Sequence, residues 1–210
     1  MKRYATSLLA LLLVLGFLVG NFRADREPGD QHAPVAVVEP SVVDHRTRYL
    51  GANVRIPYAD GGVPVHLRIP ALGIHGDVRP VGMSDATTMQ VPDDITVVGW
   101  FDRSVLPIAE AGNTVLVGHR DGETDPNGVF RRLGEINEGD AITVHDHSGR
   151  RIDYEVTRVD VLHDEVFARV APNIFRTDGP HQLVLLTCGG LYDENKGGYQ
   201  ANVVVIAERT

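Results

Sequence analysis

The chain is poor in cysteine, with Cys188 as the only one among its 210 residues. A single thiol excludes an internal disulfide and any metal site built from several cysteines. Basic residues are also in the minority, since 20 Lys and Arg stand against 28 Asp and Glu and the formal net charge is -8. A nucleic-acid partner would need a basic face, so none is expected. No internal repeat is present, and the length fits one domain with appendages.

A hydrophobic segment near the N-terminus predicts where the chain is located. Residues 1–4 form a short head that carries Lys2 and Arg3, and an apolar run of about eighteen residues follows at 5–22. That length is enough to cross a bilayer as a helix, and the basic head would stay in the cytoplasm. A cleaved signal peptide is the alternative, but no small-x-small cleavage site follows the run. We expect a single-pass membrane protein whose remaining chain is extracellular.

The composition changes after this segment. Residues 23–62 are rich in Pro, Asp, Glu, Arg and Gly, and they show neither the strand period nor the helix period. Such a segment predicts an extended linker that holds a domain away from the membrane. Residues 63–210 are expected to form that domain.

The domain is predicted to be all-β. Strand patterns, meaning short apolar or alternating runs, occur at 65–69, 70–74 around a kink, 89–91, 95–101, 114–118, 141–145, 151–162, 183–187 and 199–207. Helical patterns are limited to 105–111, 128–133 and 165–174. About eight strands with so little helix favour a closed or nearly closed β-barrel, because closure removes exposed strand edges.

The stretch from Leu183 to Gly190 ends in Thr-Cys-Gly-Gly. Its apolar run predicts a buried strand, and the two glycines are expected to end that strand. Cys188 would then sit at the open end of a strand, where the sheet fixes the backbone and the side chain stays accessible. The thiol is either a nucleophile or a small buried hydrophobic group. Catalysis would explain an unpaired cysteine outside the cell.

A second strand pattern has the same design. Residues 114–118 are an apolar run that ends in a glycine, and His119 follows directly. A catalytic cysteine needs an imidazole, because the thiolate attacks and a histidine can hold the proton and deliver it to a leaving amine. Strands of one barrel can bring His119 to Cys188. An ordinary solvated or hydrogen-bonded histidine is the alternative.

Three segments resemble the signature segments of the sortases, which are membrane-anchored cysteine transpeptidases of Gram-positive bacteria. They are Val117-Gly118-His119, Leu183 to Gly190, and Gly198 to Val205, and the resemblance extends over residues 63–210. It is strongest to the actinobacterial branch called class E or F. The resemblance implies an eight-stranded sortase barrel with short helices, preceded by one transmembrane helix.

The resemblance also implies a two-step acyl transfer. Cys188 would attack the Thr-Gly bond of a Leu-Pro-x-Thr-Gly-like sorting signal on a surface protein and form an acyl-thioester. His119 would protonate the departing amine and then accept a proton from the amine of a cell-wall precursor. No cofactor is implied, because the thioester keeps the energy of the cleaved bond.

The sequence departs from the sortases at one residue. Sortases normally carry an arginine on the strand after the cysteine, where it stabilises the substrate and the developing oxyanion. The segment Tyr199 to Ala207 has none, and Asn202 stands at the position that we align with it. We expect Asn202 to line the site, while Arg120, Arg131 or Arg132 could enter from another element.

Several alternatives stay open on the sequence alone. An exported cysteine peptidase would hydrolyse the same acyl intermediate, and a sortase-like barrel without activity would serve as a surface binding module. The loop with Asp193, Glu194 and Lys196 is either simply solvated or an acidic calcium loop of the kind some sortases use. Residues 165–174 form either an apolar wall for Leu-Pro of the sorting signal or a short packed helix.

Overall fold

The computed structural model describes residues 61–85 and 88–210, and these form a closed barrel of eight strands. The strands are β1 (Pro64–Ile69), β2 (Ile74–Val81), β3 (Val98–Phe101), β4 (Asn113–Val117), β5 (Ala141–Asp146), β6 (Arg151–His163), β7 (Gln182–Asp193) and β8 (Gly198–Arg209). The helices are α1 (Asp164–Ile174) and three short 3-10 helices, Pro70–Leu72, Leu133–Glu135 and Glu194–Lys196. The prediction of an eight-stranded β-barrel with short helices is confirmed.

The order of the strands puts β7 at the centre of one wall of the barrel. Around the barrel the strands follow the order β1-β2-β3-β4-β7-β8-β6-β5. β4 runs parallel to β7, and β8 runs antiparallel to β7 on its other side. β4 pairs with the first half of β7, so that its last residue, Val117, lies opposite Leu186 and the second half of β7 extends beyond the end of β4.

Side chains of this wall alternate between two apolar clusters. Leu183 and Leu185 belong to the cluster inside the barrel, which also contains Trp100. Val184 and Leu186 belong to a second cluster on the outer face, where α1 packs on the wall. Since both faces of the wall are covered, the sequence of β7 from Leu183 to Leu186 is a continuous apolar run.

Helix α1 holds the outer cluster in place. Phe167, Ala171 and Ile174 are its buried residues, and they recur at the spacing of one helix face. Burying a side chain the size of Phe167 contributes about 1.5–3 kcal/mol. The helix predicted at 165–174 therefore forms, and its three buried apolar residues serve as core rather than as an exposed wall.

Some predicted elements are wrong. Residues 70–74 contain a 3-10 helix, after which β2 (Ile74–Val81) forms as a separate strand that pairs in parallel with β3. Residues 89–91 form no strand, and Met89 makes one isolated bridge to Met83. No helix forms at 105–111, and the helix predicted at 128–133 is reduced to the 3-10 helix that begins at Leu133.

The cysteine strand also differs from the prediction, because the two glycines do not end it. β7 continues to Asp193, so that Cys188 lies in the middle of the strand rather than at its end. A bulge follows Gly189, and Gly190 adopts a φ of 72°. A Cβ atom on Gly189 would lie 2.9 Å from Cγ2 of Val203. The glycines therefore allow a bulge and a close approach to β8 while the pairing goes on.

A buried carboxylate holds the beginning of the described domain. Asp146 is 1% exposed, and it accepts hydrogen bonds from the backbone N–H groups of Gly62, Ser148 and Arg150. Burial alone would raise the pKa of Asp146, but the hydrogen bonds from Ser148, Arg150 and Gly62 outweigh it and leave the pKa below its usual value. The chain is thus fastened to the turn between β5 and β6 just before β1 begins.

The predicted cytoplasmic head at 1–4, the predicted membrane anchor at 5–22 and nearly all of the predicted linker at 23–62 lie outside the described residues. Among the residues that are described, no helix has the length and hydropathy needed to cross a membrane.

Candidate active site

The strand register brings together the segments that lead to two of the predicted site residues, His119 and Cys188. β4 and β7 pair with Val117 opposite Leu186, and Gly118 N donates to the Leu186 carbonyl at 3.1 Å. The ladder with β4 ends at this pair, and Arg120 and Asp121, which follow His119, are close enough for their charges to act on the Cys188 thiol. Cys188 follows the outward-facing Leu186 by two positions, so strand alternation puts its side chain on the outer face.

Cys188 is held by β8 and left open on its other side. Its partner across the antiparallel pair is Asn202, whereas the pairing with β4 ends at Val117. The side chain is 8% exposed. A rigid backbone with one unpaired flank suits a nucleophile that must meet an extended peptide.

The imidazole of His119 is fixed by a backbone carbonyl. Its Nε2 lies 2.8 Å from the carbonyl oxygen of Pro92. A carbonyl can only accept, so Nε2 carries a proton and donates it, and in the neutral ring Nδ1 is the free acceptor. The backbone is fixed as well, since Gly128 N donates to the Arg120 carbonyl at 3.1 Å and Phe130 N to the His119 carbonyl at 2.9 Å. The ring therefore has one nitrogen available for proton transfer.

The thiol is protonated in the free protein. Burial raises the pKa of Cys188 to about 12, the carboxylates of Asp121 and Asp164 add to the rise, and the guanidinium of Arg120 opposes it. At pH 7 a group with that pKa is ionised in about one molecule in 100,000. The resting site thus holds a neutral thiol rather than a preformed thiolate.

This state predicts how Cys188 reacts with alkylating agents. We expect alkylation by iodoacetamide to be slow at neutral pH, because the thiolate is the reacting form. Its rate should rise about tenfold for each pH unit from neutral pH upward, and this rise should continue beyond about pH 9. Mass spectrometry reports the product, and the denatured chain, with an ordinary thiol pKa, is the control. A rate that levels off near neutral pH would contradict the raised pKa.

An aromatic residue of β8 holds the segment that follows His119. The guanidinium carbon of Arg120 lies 5.0 Å from the centroid of the Tyr199 ring, and the Tyr199 hydroxyl donates to Asp121. The ring also packs edge-on against Tyr192 at 5.2 Å. Burial and the hydrogen bond to Asp121 raise the pKa of Tyr199, which stays a neutral donor. We call Arg120, Asp121 and Tyr199 the cation cluster.

Arg131 and Arg132, the other two candidates for the missing arginine, are engaged away from this cluster. Arg131 donates to the carbonyl of Pro126, and Arg132 forms an ion pair with Glu135 at 2.7 Å. Both side chains are exposed. Of the three arginines that the sequence suggested, Arg120 is therefore the one next to the thiol.

Asn202 lies at the predicted place but has a protein partner. It is 9% exposed, and its side-chain nitrogen donates to Oδ1 of Asp164 at 3.2 Å. Asp164 is the first residue of α1, so this bond ties the covering helix to β8. Sequence reasoning did not single out Asp164, Asp121 or Tyr199, since no local pattern joins these distant positions. The catalytic roles of Cys188, His119 and Asn202 remain predictions.

The acidic loop between β7 and β8 makes contacts within itself. Asp193 accepts a hydrogen bond from Asn195 N at 3.0 Å, and Lys196 lies 3.9 Å from its carboxylate. Within residues 61–85 and 88–210, no group of three or more His, Cys, Asp and Glu residues is arranged to hold a metal ion.

Comparison with known proteins places this geometry in context. The model of the Sortase domain family matches residues 67–210. No curated protein matches the chain.

Several solved structures are similar to this chain. Sortase C1 of GBS pilus island 1 has a TM-score of 0.52 and 20% identity, with 69% of this chain and 63% of that one covered. Sortase C-1 from Actinomyces oris has a TM-score of 0.51 and 21% identity, with 69% of this chain and 72% of that one covered. Sortase A from Corynebacterium diphtheriae has a TM-score of 0.51 and 22% identity, with 73% of this chain and 63% of that one covered. The chain thus spans less than two thirds of the length of the first and third of these, and the likeness shows the fold.

Proposed function

The chain belongs to the sortase family, and from this we propose that it is a cysteine transpeptidase that cleaves a Leu-Pro-x-Thr-Gly-like sorting signal and passes the surface protein to a cell-wall amine. The single observation that carries the proposal is the parallel register of β4 and β7, which pairs Val117, two residues before His119, with Leu186, two residues before Cys188. A nucleophile next to a proton carrier is the arrangement that acyl transfer through a covalent intermediate requires.

In the first step, Nδ1 of His119 takes the Cys188 proton as the sulfur attacks the carbonyl carbon of the Thr-Gly bond. A carbon–sulfur bond forms, and the electron pair of the carbonyl double bond moves to oxygen. When the oxyanion collapses, the carbon–nitrogen bond breaks and the imidazolium gives its proton to the leaving amine. The product is an acyl-thioester on Cys188.

In the second step, the amine of the acceptor attacks the thioester and His119 accepts its proton. The new amide bond forms, and the leaving sulfur takes the proton back from His119. The energy of the original amide is carried by the thioester, so that the exchange needs no nucleotide.

We propose further that residues 5–22 anchor the chain in the cell membrane and that residues 63–210 act outside the cell. The apolar run and the basic head at 1–4 support this orientation. A lone catalytic thiol, in a chain that has no second cysteine for a disulfide, suits such a location.

The test is mass spectrometry of the full chain in detergent micelles, incubated with a Leu-Pro-x-Thr-Gly peptide with and without an amine acceptor. An adduct that forms on Cys188, passes to the amine and is absent from Cys188→Ala supports transpeptidation. An adduct that is released at the same rate without amine indicates a peptidase. A folded protein with an accessible thiol that forms no adduct with any member of a peptide library indicates a binding module.

Asn202 provides a separate prediction. Asn202→Ala is expected to lower turnover about tenfold or more, because it removes a donor beside the thiol and releases the Asp164 carboxylate that Asn202 binds. Steady-state kinetics with the sorting peptide measures the effect. Gln182→Ala, at the other end of β7, serves as the control and should keep wild-type turnover. Wild-type turnover in Asn202→Ala would remove this residue from the mechanism.

A further inference from the structure

The proposed reaction makes an oxyanion, yet β8 has no arginine near Cys188. Its one arginine, Arg209, lies beyond the Leu183 end of the β7 pairing and donates to the carbonyls of Pro107 and Ala109. That guanidinium is engaged at the far end of the wall. A donor for the oxyanion must therefore come from another element, because acyl transfer is slow without one.

The cation cluster contains a guanidinium whose donors are free. Arg120 stacks on the Tyr199 ring at 5.0 Å. The guanidinium N–H groups of Arg120 donate a hydrogen bond to no acceptor among the described residues. Stacking uses the face of the guanidinium and leaves its edge of five N–H donors available. An edge of this kind fits a carbonyl oxygen that becomes negative.

The position of Arg120 also matches the chemistry. It lies three residues after Val117, the last residue of β4 that pairs with β7, whereas Cys188 lies two residues after Leu186, the partner of Val117. Among the charges that act on the thiol, Asp121 and Asp164 are negative and Arg120 is positive. In a tetrahedral intermediate the sulfur and the oxyanion are separated by one carbon atom, so a cation whose charge acts on the sulfur also acts on the oxyanion.

The rest of the cluster fixes this guanidinium. The hydroxyl of Tyr199 donates to Asp121, the residue after Arg120, so that Arg120 and its C-terminal neighbour are both attached to the same residue of β8. An aromatic face holds a guanidinium plane better than it holds an ammonium group. The ring and the carboxylate thus restrict where the donors of Arg120 can point.

We propose that Arg120 stabilises the oxyanion of the acyl transfer at Cys188, and that Tyr199 and Asp121 position it. The proposal rests on the proposed function of this site. In the reaction the guanidinium donates hydrogen bonds to the oxygen while the carbon–sulfur bond forms, and no proton leaves Arg120. The positive charge that sortases place on the strand after the cysteine comes here from the segment after β4.

The test compares two reactions of the same thiol in the full chain. Acylation by p-nitrophenyl acetate forms an oxyanion, because the sulfur adds to the ester carbonyl before p-nitrophenolate leaves. Alkylation by iodoacetamide displaces iodide and forms none. Neither reagent contains a sorting signal. The test of Arg120 can therefore succeed or fail independently of whether the protein cleaves a sorting peptide.

Arg120→Gln is expected to slow acylation about a hundredfold, as the loss of one oxyanion donor does, and to slow alkylation only about threefold through the lost charge. Arg120→Lys, which keeps the charge and loses the planar edge, should fall between Arg120→Gln and wild type. Arg131→Gln is the matched control and should leave both rates unchanged. Equal changes in the two rates of Arg120→Gln, or no change in either, would overturn the role of Arg120.

Two variants of Tyr199 test the positioning. Tyr199→Phe keeps the ring under Arg120 and loses the bond to Asp121, and its acylation rate should fall only a few-fold. Tyr199→Leu loses the ring and should approach Arg120→Gln in the ratio of acylation to alkylation. If Tyr199→Phe keeps a near wild-type ratio of acylation to alkylation while Tyr199→Leu loses it, the ring of Tyr199 positions Arg120. A wild-type ratio in Tyr199→Leu would overturn this positioning role.

Discussion

Replacing His119 with alanine is expected to reduce acylation of Cys188 by a sorting peptide about a thousandfold, while the barrel stays folded. The reason is the neutral thiol, whose pKa of about 12 leaves almost no thiolate at pH 7. Sulfur can attack only if a neighbouring base takes its proton as the bond forms. In the proposed function His119 is that base, and its Nδ1 can accept the proton because Nε2 is bound to the Pro92 carbonyl.

Single-turnover acylation followed by mass spectrometry measures this loss, and alkylation at strongly alkaline pH supplies an internal check. At that pH hydroxide removes the thiol proton, so the variant should alkylate at nearly the wild-type rate. His75→Ala, which changes an exposed histidine on β2, is the control. If His119→Ala kept more than about a tenth of the wild-type acylation rate, His119 would not be the general base.

A methyl group on Gly128 is expected to have almost as large an effect, although this residue touches no substrate. Its Cβ would lie 2.3 Å from the His119 carbonyl oxygen and 2.6 Å from the carbonyl carbon of Arg120. Both contacts are with backbone that is hydrogen-bonded to the 128–130 segment, so neither partner can rotate away. Gly128→Ala must therefore displace the segment that carries His119 and Arg120.

We expect Gly128→Ala to cost about 1–3 kcal/mol of unfolding free energy and to lower acyl transfer about a hundredfold. The loss of activity should exceed what the unfolded fraction explains, because a displaced imidazole fails even in folded molecules. Thermal unfolding and acylation, measured on the same preparation, separate the two effects. Gly134→Ala is the control, since its Cβ would meet Val203 at an ordinary 3.7 Å. Wild-type activity in Gly128→Ala would show that the segment adapts.

The parts of the fold that were predictable are those with a local cause. The apolar run before Cys188 and the helix that buries Phe167 follow from patterns within a few residues. β7 was predicted too short, because glycines signal a break locally while pairing with β8 carries the strand past them. β2 was missed beyond Ile74, since its pairing with β3 cannot be deduced from its own residues.

The site shows the same division. Cys188 and His119 were singled out because each follows an apolar strand in a pattern that sortases share. The cluster around them depends on contacts between remote segments, such as Tyr199 with Asp121 and Asn202 with Asp164. These contacts follow from the closure of the barrel, and no sequence period encodes them.

The fastening of Gly62 by Asp146 also determines how the domain would carry mechanical force. β1 lies four places from β7 in either direction around the barrel, so the chain enters on the side opposite the nucleophile. Tension applied from the preceding residues would first meet the bond to Asp146 and then load β1 in shear against β2 and β5. The wall of β4, β7 and β8 would bear that load last, because two strands separate it from β1 on each side of the barrel.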